Sequence, residues 1–422
     1  MSVLPASVLE KLTFQPENTV SDEQTIFYYD LAKKIGMGRA LEVQQSVQPL
    51  INRLDDESLV LNFNQWKTQG IQLWIDQRDE ILQELQGKLP MLGMYSVQSN
   101  QQIVEVARMM GIQIPSTNTE WLVRHRSNNP VIGLLLRKKN LDQLLKRFNT
   151  DLEPLQCNGY VKLSGIWDAY ASYSGRMASH QMALTALPRG MRDYYDAPLV
   201  NGQPGVYVSF DENQIELRIL AGASHCQLLL SQFAMGHDVH CYIAGQLFSV
   251  PEDSVTPQMR KLAKTLIYAL VYGAGDERLQ KIVHKSGLVV VSPPKRLFRE
   301  CYPEVMRLLS KYRKSKVIYY GLRSTAVPTK IGDEWLSSAS KQNLPIQSAA
   351  SLLLKQVIVR LAGHAHIINV IYDELICLCA ANQVDVLRQR VVQAYIDASV
   401  DLELSVPTRN IISTTILGGT KL

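Results

Sequence analysis

The sequence predicts an α+β fold, and three stretches carry that expectation. Residues 206–211 (VYVSFD) alternate, with Val206, Val208 and Phe210 on one face and Tyr207, Ser209 and Asp211 on the other. That is the period-two pattern of a half-buried strand ending in a carboxylate. Residues 256–275 (TPQMRKLAKTLIYALVYGAG) form the clearest helix in the chain. Residues 364–381 (HAHIINVIYDELICLCAA) read as two β-rich runs, IINVIY and LICLCA, that meet at Asp373 and Glu374.

Composition bounds the rest. A chain of 422 residues has room for two or three lobes, and 46% hydrophobic with 20% charged residues is ordinary for a globular protein. The net charge of +5 is mild and alone indicates no nucleic-acid partner. Six cysteines show no CxxC pair and no regular framework, so reduced thiols are expected and a zinc centre is not. No apolar run approaches the roughly 20 residues of a membrane span. The start, MSVLPASVLEKL, lacks the basic-then-apolar form of a signal peptide. The expectation is a cytoplasmic protein with no membrane partner.

Taken in order, residues 1–155 are rich in helix formers and poor in strand signals. Helices are expected over 41–54, 62–89, 99–111 and 129–148, with a break at Pro115 and Ser116. The cluster Arg137, Lys138, Lys139, Lys146 and Arg147 could touch a phosphate backbone or could form a solvated helix face. From 156 to 210 the texture turns to short runs with Gly, Tyr and Ser. Arg176, Arg189 and Arg192 sit there among aromatics, which suits a nucleic-acid groove as well as an ordinary loop-rich region.

After Asp211 the pattern shifts to helix (QIELRILA), and 222–250 continues as helix with His237, Asp238 and His240. Two histidines three apart beside an aspartate could begin a zinc site, yet no third and fourth ligand follows at useful spacing. In the helix over 256–275, Thr256 suits the N-cap, Pro257 the first helical position and Gly273 the stop. Within it Arg260, Lys264, Tyr268 and Tyr272 recur every fourth residue. At about 100° per residue they form one slowly turning stripe. Cations there could hold a polyphosphate and the rings could stack on a flat group; a basic surface helix with its tyrosines in the core fits too. Further helices are expected over 276–335, interrupted at 292–294. A helix over 341–362 is expected to begin after Pro345, with Asn343 and Gln347 near its start. The bend at Asp373 and Glu374 reads as a hairpin tip or a plain turn. No internal repeat or low-complexity linker appears, so the lobes are expected to interleave.

Asp211, the cationic-aromatic helix and Asp373 make sense together. Two carboxylates brought side by side can hold two Mg²⁺ ions, which favour oxygen ligands and keep substrate phosphates in their shell. Such a site clamps the attacking and leaving oxygens of an in-line phosphoryl displacement. The helix would then bind the triphosphate, with Tyr268 against sugar or base.

From roughly residue 100 onward the chain resembles DNA polymerase family A. FDENQIELRILA resembles the family's first palm motif, RKLAKTLIYALVYG its fingers helix and YDEL its second palm motif. SGRMASH, FAMGHDVHCYIAGQLF and QNLPIQSAAS resemble the linking segments, in the same order. The resemblance implies a right-hand fold with an antiparallel palm sheet and helical fingers and thumb. It divides the chain into 1–155 as mostly thumb and N-terminal extension, 156–221 and 336–422 as palm, and 222–335 as fingers. Asp211 and Asp373 are then the metal-binding catalytic aspartates, for two Mg²⁺ ions that Mn²⁺ can replace, and Glu374 is the acidic neighbour near the primer terminus. Glu216 is the gate against a ribose 2′-hydroxyl, working with the Tyr268 ring. Arg260, Lys264, His240 and Gln214 are incoming-nucleotide contacts. Tyr272 and Gly273 abut the templating base, and Arg176, Asn343 and Gln347 contact the new base pair. The implied activity is primer extension on a DNA template with dNTPs, and Tyr268 implies ready use of dideoxynucleotides.

The chain departs from the family pattern in several places. Tyr372 stands where histidine is usual, Glu212 and Asn213 replace an aromatic-serine pair, and Ala269 replaces glycine. LTALP (184–188) lacks an amide pair and AVPTKIGDEW (326–335) lacks a run of arginines. The stretch before the thumb-like helices is too short for the family's nuclease domains, so no proofreading is expected within this chain. Separate exonuclease, helicase or primase proteins are then natural partners. Two other functions remain open on the sequence: a polymerase with relaxed template or sugar choice, and a catalytically idle DNA-binding subunit of a replication or repair assembly.

Overall fold

The computed structural model describes residues 30, 33, 37–94, 99–315, 319–321, 323–324, 330–331, 334–335 and 337–418. Within them the chain divides into two interleaved units. One comprises the described residues up to Ser58, Ser164–Leu187 and Ala197–Ile416; the other comprises the described residues of Leu59–Leu163, Pro188–Asp196 and those from Leu417 on.

The first unit is built on a four-stranded sheet. Helix α1 (Gly38–Asn52) precedes strand β1 (Gly205–Glu212), which runs into helix α2 (Ile215–Ser224). Helices α3 (Val239–Phe248) and α4 (Pro257–Val271) pack on each other. The long helix α5 (Ser338–Leu361) packs on α1 and α2 and leads to the hairpin β2 (His366–Ile371) and β3 (Glu374–Ala380). Helix α6 (Val384–Asp401) and strand β4 (Ile412–Leu417) complete the set, in the strand order β2-β3-β1-β4. Both pairings that meet at β3 are antiparallel.

Strand β1 is more buried than its alternation suggests. Tyr207 and Ser209, expected on a solvated face, are as covered as Val206 and Val208, and only Asp211 is exposed. The reason is its place between β3 and β4, with α6 over one face and the Tyr207 hydroxyl donating to the Ser58 carbonyl at 3.4 Å on the other. A strand covered on both faces needs its polar side chains paired internally, and Ser209 is, with Glu374.

Helix α4 forms as its sequence dictates. The Thr256 side chain accepts from the Met259 N–H at 3.3 Å, and Pro257 takes the first helical position. Leu262, Ala263, Leu266, Ile267, Leu270 and Val271 face the core. That leaves the stripe from Arg260 to Tyr272 on the outer face. Past the helix end, Gly273 adopts φ +82°, where an added Cβ would also lie 3.1 Å from the Ala339 Cα. Gly273→Ala is therefore expected to lower unfolding free energy by about 1–2 kcal/mol, read by urea titration, from left-handed strain and crowding together.

Two expectations change. Helix α5 starts at its Ser337 cap, which accepts from the Ser340 N–H at 3.0 Å, and Pro345 lies inside it. The helix is buried along most of its length, and that packing outweighs the roughly 3 kcal/mol an internal proline costs. Over 276–335 the helices Asp276–Ser286, Pro294–Cys301 and Pro303–Lys314 give way to two short antiparallel strand pairs, Tyr319–Tyr320 with Arg323–Ser324 and Lys330–Ile331 with Glu334–Trp335. Much of the run 326–335 lies outside the described residues.

The second unit packs helices Gln72–Lys88, Asn100–Met109, Thr119–His125 and Pro130–Leu145 around Leu85, Ile103, Val106, Leu122 and Leu135. A strand at Leu59–Asn62, absent from the sequence expectation, pairs with Tyr160–Leu163. The cationic cluster of the last of these helices is broken up. Lys138 is buried on Asp142 at 2.7 Å and Lys139 donates to the Thr117 carbonyl, leaving Arg137, Lys146 and Arg147 exposed. Among the described residues, no helix is long and apolar enough to cross a membrane.

Candidate active site

The sheet register brings the acidic residues together. Ile371 pairs with Glu374, so Tyr372 and Asp373 form the two-residue tip of the β2–β3 hairpin. Glu374 in turn lies opposite Asp211 at the end of β1. Cross-strand partners share a face, so the Glu374 side chain lies on the Asp211 face. There it is buried and accepts from the Ser209 hydroxyl, its diagonal neighbour. The tip is clasped from below, with the Glu212 N–H donating to the Asp373 carbonyl at 3.2 Å. Tyr372 takes a left-handed φ of +57°, a strain of the kind that gathers at functional sites. Its ring lies 5.9 Å from the Arg176 guanidinium. Burial raises the Asp373 pKa and Glu374 adds to that, while Arg176 and Lys264 pull it down.

Glu212 needs a separate account. One residue past Asp211, it points to the opposite face, under α6, where the Tyr395 hydroxyl stands beside it short of full hydrogen-bonding geometry. Burial pushes its pKa well above the usual carboxylate range, so the carboxyl is held towards its neutral form. It adds little negative charge at the Asp211 face.

Glu216 sits at the first turn of α2, buried, and joins elements distant in the chain. The Tyr272 hydroxyl donates to its two oxygens at 3.1 and 2.9 Å, and Arg176 Nη2 donates to Oε1 at 3.1 Å. Beyond Tyr272 the stripe of α4 continues outward. The rings of Tyr272 and Tyr268 are 6.1 Å apart, that of His240 is 5.9 Å from Tyr268, and Lys264 Nζ is 6.0 Å from the Tyr268 ring. Burial and the carboxylates Glu216, Asp373 and Asp211 all raise the Tyr268 pKa, so the hydroxyl keeps its proton. Arg260, at the start of the stripe, pairs with Asp238 at 2.7 Å.

Several polar atoms of this set have no hydrogen-bond partner among the described residues: both ring nitrogens of His240, Gln214 Oε1 and Asn343 Oδ1. Buried polar atoms are rarely left so, and a bound polar ligand is one way to satisfy them. Gln214 also holds a left-handed φ of +56° ahead of α2. Burial, helped by Arg260 and Lys264, lowers the His240 pKa to about 4, so the ring is neutral in the folded chain. The unfolded chain takes up that proton from about pH 6.5 downward. Stability from this group is therefore present above pH 6.5 and lost as pH falls towards 4, by at most about 3 kcal/mol. Urea titrations across that range are expected to show a steeper acid loss in the wild type than in His240→Gln.

Two supporting roles went unread in the sequence, that of Gln342 and that of Asp238. Gln342 is buried and its side-chain amide donates to the Leu270 and Val271 carbonyls, each at 2.9 Å, closing the end of α4 beside Gly273. Asn343 and Gln347, the amides the sequence singled out, follow on α5, and Gln347 lies beside the Tyr272 hydroxyl. Asp238 is the second. It seats Arg260 and caps α3, where the sequence had placed it beside His237 and His240.

The chain is 24% identical over 309 residues to the thermostable DNA polymerase I of Thermus caldophilus, covering 69% of this chain and 37% of that protein. It is 24% identical over 287 residues to DNA polymerase I of Aquifex aeolicus, covering 65% of this chain and 48% of that one. The chain thus spans well under two thirds of these relatives. Among solved structures, the POL domain of Pol1 from M. smegmatis, in complex with DNA primer-template and dNTP, superposes with a TM-score of 0.72 at 18% identity over 97% of this chain and 80% of that one. The fold is therefore the right-hand, α+β fold of a polymerase domain. The profile of DNA polymerase family A matches residues 80–415, and the chain belongs to that family.

Proposed function

We propose that the chain is a template-directed DNA polymerase that extends a primer with dNTPs by two-metal-ion nucleotidyl transfer. The observation that supports this most is the register that sets Glu374 opposite Asp211 and leaves Asp373 at the adjoining tip. Primer-template DNA and dNTP, the partners named for the M. smegmatis domain, are the substrates proposed here. In that reading the unit with the sheet supplies palm and fingers, and helices within residues 1–155 supply the thumb.

Asp211 and Asp373 fit divalent ions. They are oxygen donors, one near the end of β1 and one at the hairpin tip next to Glu374, the register partner of Asp211, and a cation would offset the burial and Glu374 repulsion that raise the Asp373 pKa. Waters and substrate phosphates would complete the shells, as Mg²⁺ or Mn²⁺ accepts. Bound ions would stabilise charge on the attacking and leaving oxygens of an in-line displacement. The chain's own residues do the positioning. Arg260 and Lys264 meet the triphosphate, and neutral His240 offers one ring N–H to it. The Tyr268 ring lies against the sugar, while Glu216, tied down by Tyr272 and Arg176, takes the space of a 2′-hydroxyl. Tyr272 and Gly273 face the templating base.

A labelled primer on a DNA template, with Mg²⁺ and either dNTPs, rNTPs or dideoxynucleotides, tests this. Templated extension with dNTPs, ready dideoxy termination and poor use of rNTPs are expected. No extension with any nucleotide would overturn the proposal and favour an idle DNA-binding subunit.

A further inference from the structure

We infer that Asp238 is a positioning residue for nucleotide binding, resting on the polymerase function proposed above. A single carboxylate performs two tasks. Its Oδ2 accepts from Arg260 Nε at 2.8 Å and meets Nη2 at 2.7 Å. Its Oδ1 accepts from the backbone N–H groups of His240 and Cys241 at 2.8 and 3.1 Å. The two cationic and imidazole contacts proposed for the triphosphate thus come from different helices, α4 and α3, and share one anchor.

The pair is poorly placed to serve stability. The Arg260 and Asp238 side chains remain 40% and 35% exposed, and ion pairs that open to water contribute little to folding. Orientation is another matter. A guanidinium gripped along its Nε–Nη2 edge cannot swing freely, and its outer edge stays available for phosphate oxygens, the anion its planar fork suits. The cap fixes the start of α3 and with it the buried His240 ring, whose two nitrogens have no partner among the described residues. Asp238 therefore sets the relative placement of both groups before nucleotide arrives, and ordering them in advance lowers the cost of binding.

The test uses the full chain. Asp238→Asn keeps an oxygen for the cap and removes the charged seat of Arg260. For single-nucleotide insertion it is expected to raise the dNTP KM about tenfold with kcat within about twofold of wild type. The dNTP Kd, measured on a dideoxy-terminated primer-template, is expected to rise in parallel with the unfolding midpoint unchanged. In an Arg260→Ala background the same substitution is expected to add nothing, because its effect runs through Arg260. Unchanged KM and Kd, or a full additional loss in that background, would overturn the assignment. So would tighter binding in Asp238→Asn, which would show that the carboxylate competes with the triphosphate for Arg260. Failure of the wild type to extend primers would overturn the polymerase proposal instead. Binding of inorganic triphosphate to wild type and Asp238→Asn would then still decide the role of Asp238.

Discussion

Asp373→Ala is expected to reduce primer extension by on the order of 10³-fold or more, with primer-template affinity retained and the fold intact. Asp211→Ala is expected to behave alike. The Asp373 carboxyl stands at a hairpin tip where burial and Glu374 both raise its pKa, so its charged form is costly in the folded chain. A carboxylate with a raised folded pKa reduces stability at pH values where the unfolded chain would ionise it freely. Its removal should therefore leave the urea midpoint unchanged or slightly higher. Loss of activity without loss of stability marks a group kept for chemistry. Near-wild-type extension by either variant, measured with Mg²⁺ and a labelled primer, would rule out the two-carboxylate site.

Glu216→Ala is expected to raise incorporation of rNTPs relative to dNTPs by about 10²-fold. The wild-type carboxylate is held in place by the Tyr272 hydroxyl, shared between its two oxygens, and by Arg176, so it cannot yield to an added hydroxyl without breaking these bonds. Alanine opens that space and frees both partners. Glu216→Gln separates size from charge: it fills the same volume, and discrimination should survive if exclusion is steric. Burial raises the Glu216 pKa, and Tyr272 and Arg176 oppose the rise. Equal sugar selectivity in wild type and Glu216→Ala, read as the ratio of kcat/KM for the two nucleotide types, would move the gate elsewhere.

The two substitutions differ in what they report. The first removes a group at the proposed reacting centre. The second alters choice of substrate while the aspartates stay in place. Together they distinguish a polymerase from a protein that only binds DNA.

Much of this site was legible in the sequence because local patterns carry it. The strand leading to Asp211 showed in its period of two, and the stripe from Arg260 to Tyr272 in its period near four. The Asp373 tip showed in two apolar runs broken by acidic residues. Each depends on residues a few positions apart, where backbone geometry alone decides which side chains share a face. Thr256 and Pro257 marked the start of α4 for the same reason.

What needed the tertiary structure depends on partners far along the chain. Gln342 caps the end of α4 from a separation of 72 residues, and nothing local distinguishes it from its neighbour Asn343. Asp238 looked like half a metal site until the Arg260 side chain was found on it. Glu212 follows Asp211 directly in the chain, yet one step along a strand turns it under α6, where burial favours its neutral form. Pro345 read as a helix start, and only the packing of α5 shows that the helix runs through it. Periodicity and capping are written within a few residues; burial on a second face and hydrogen bonds between distant elements exist only once the sheet and helices have met.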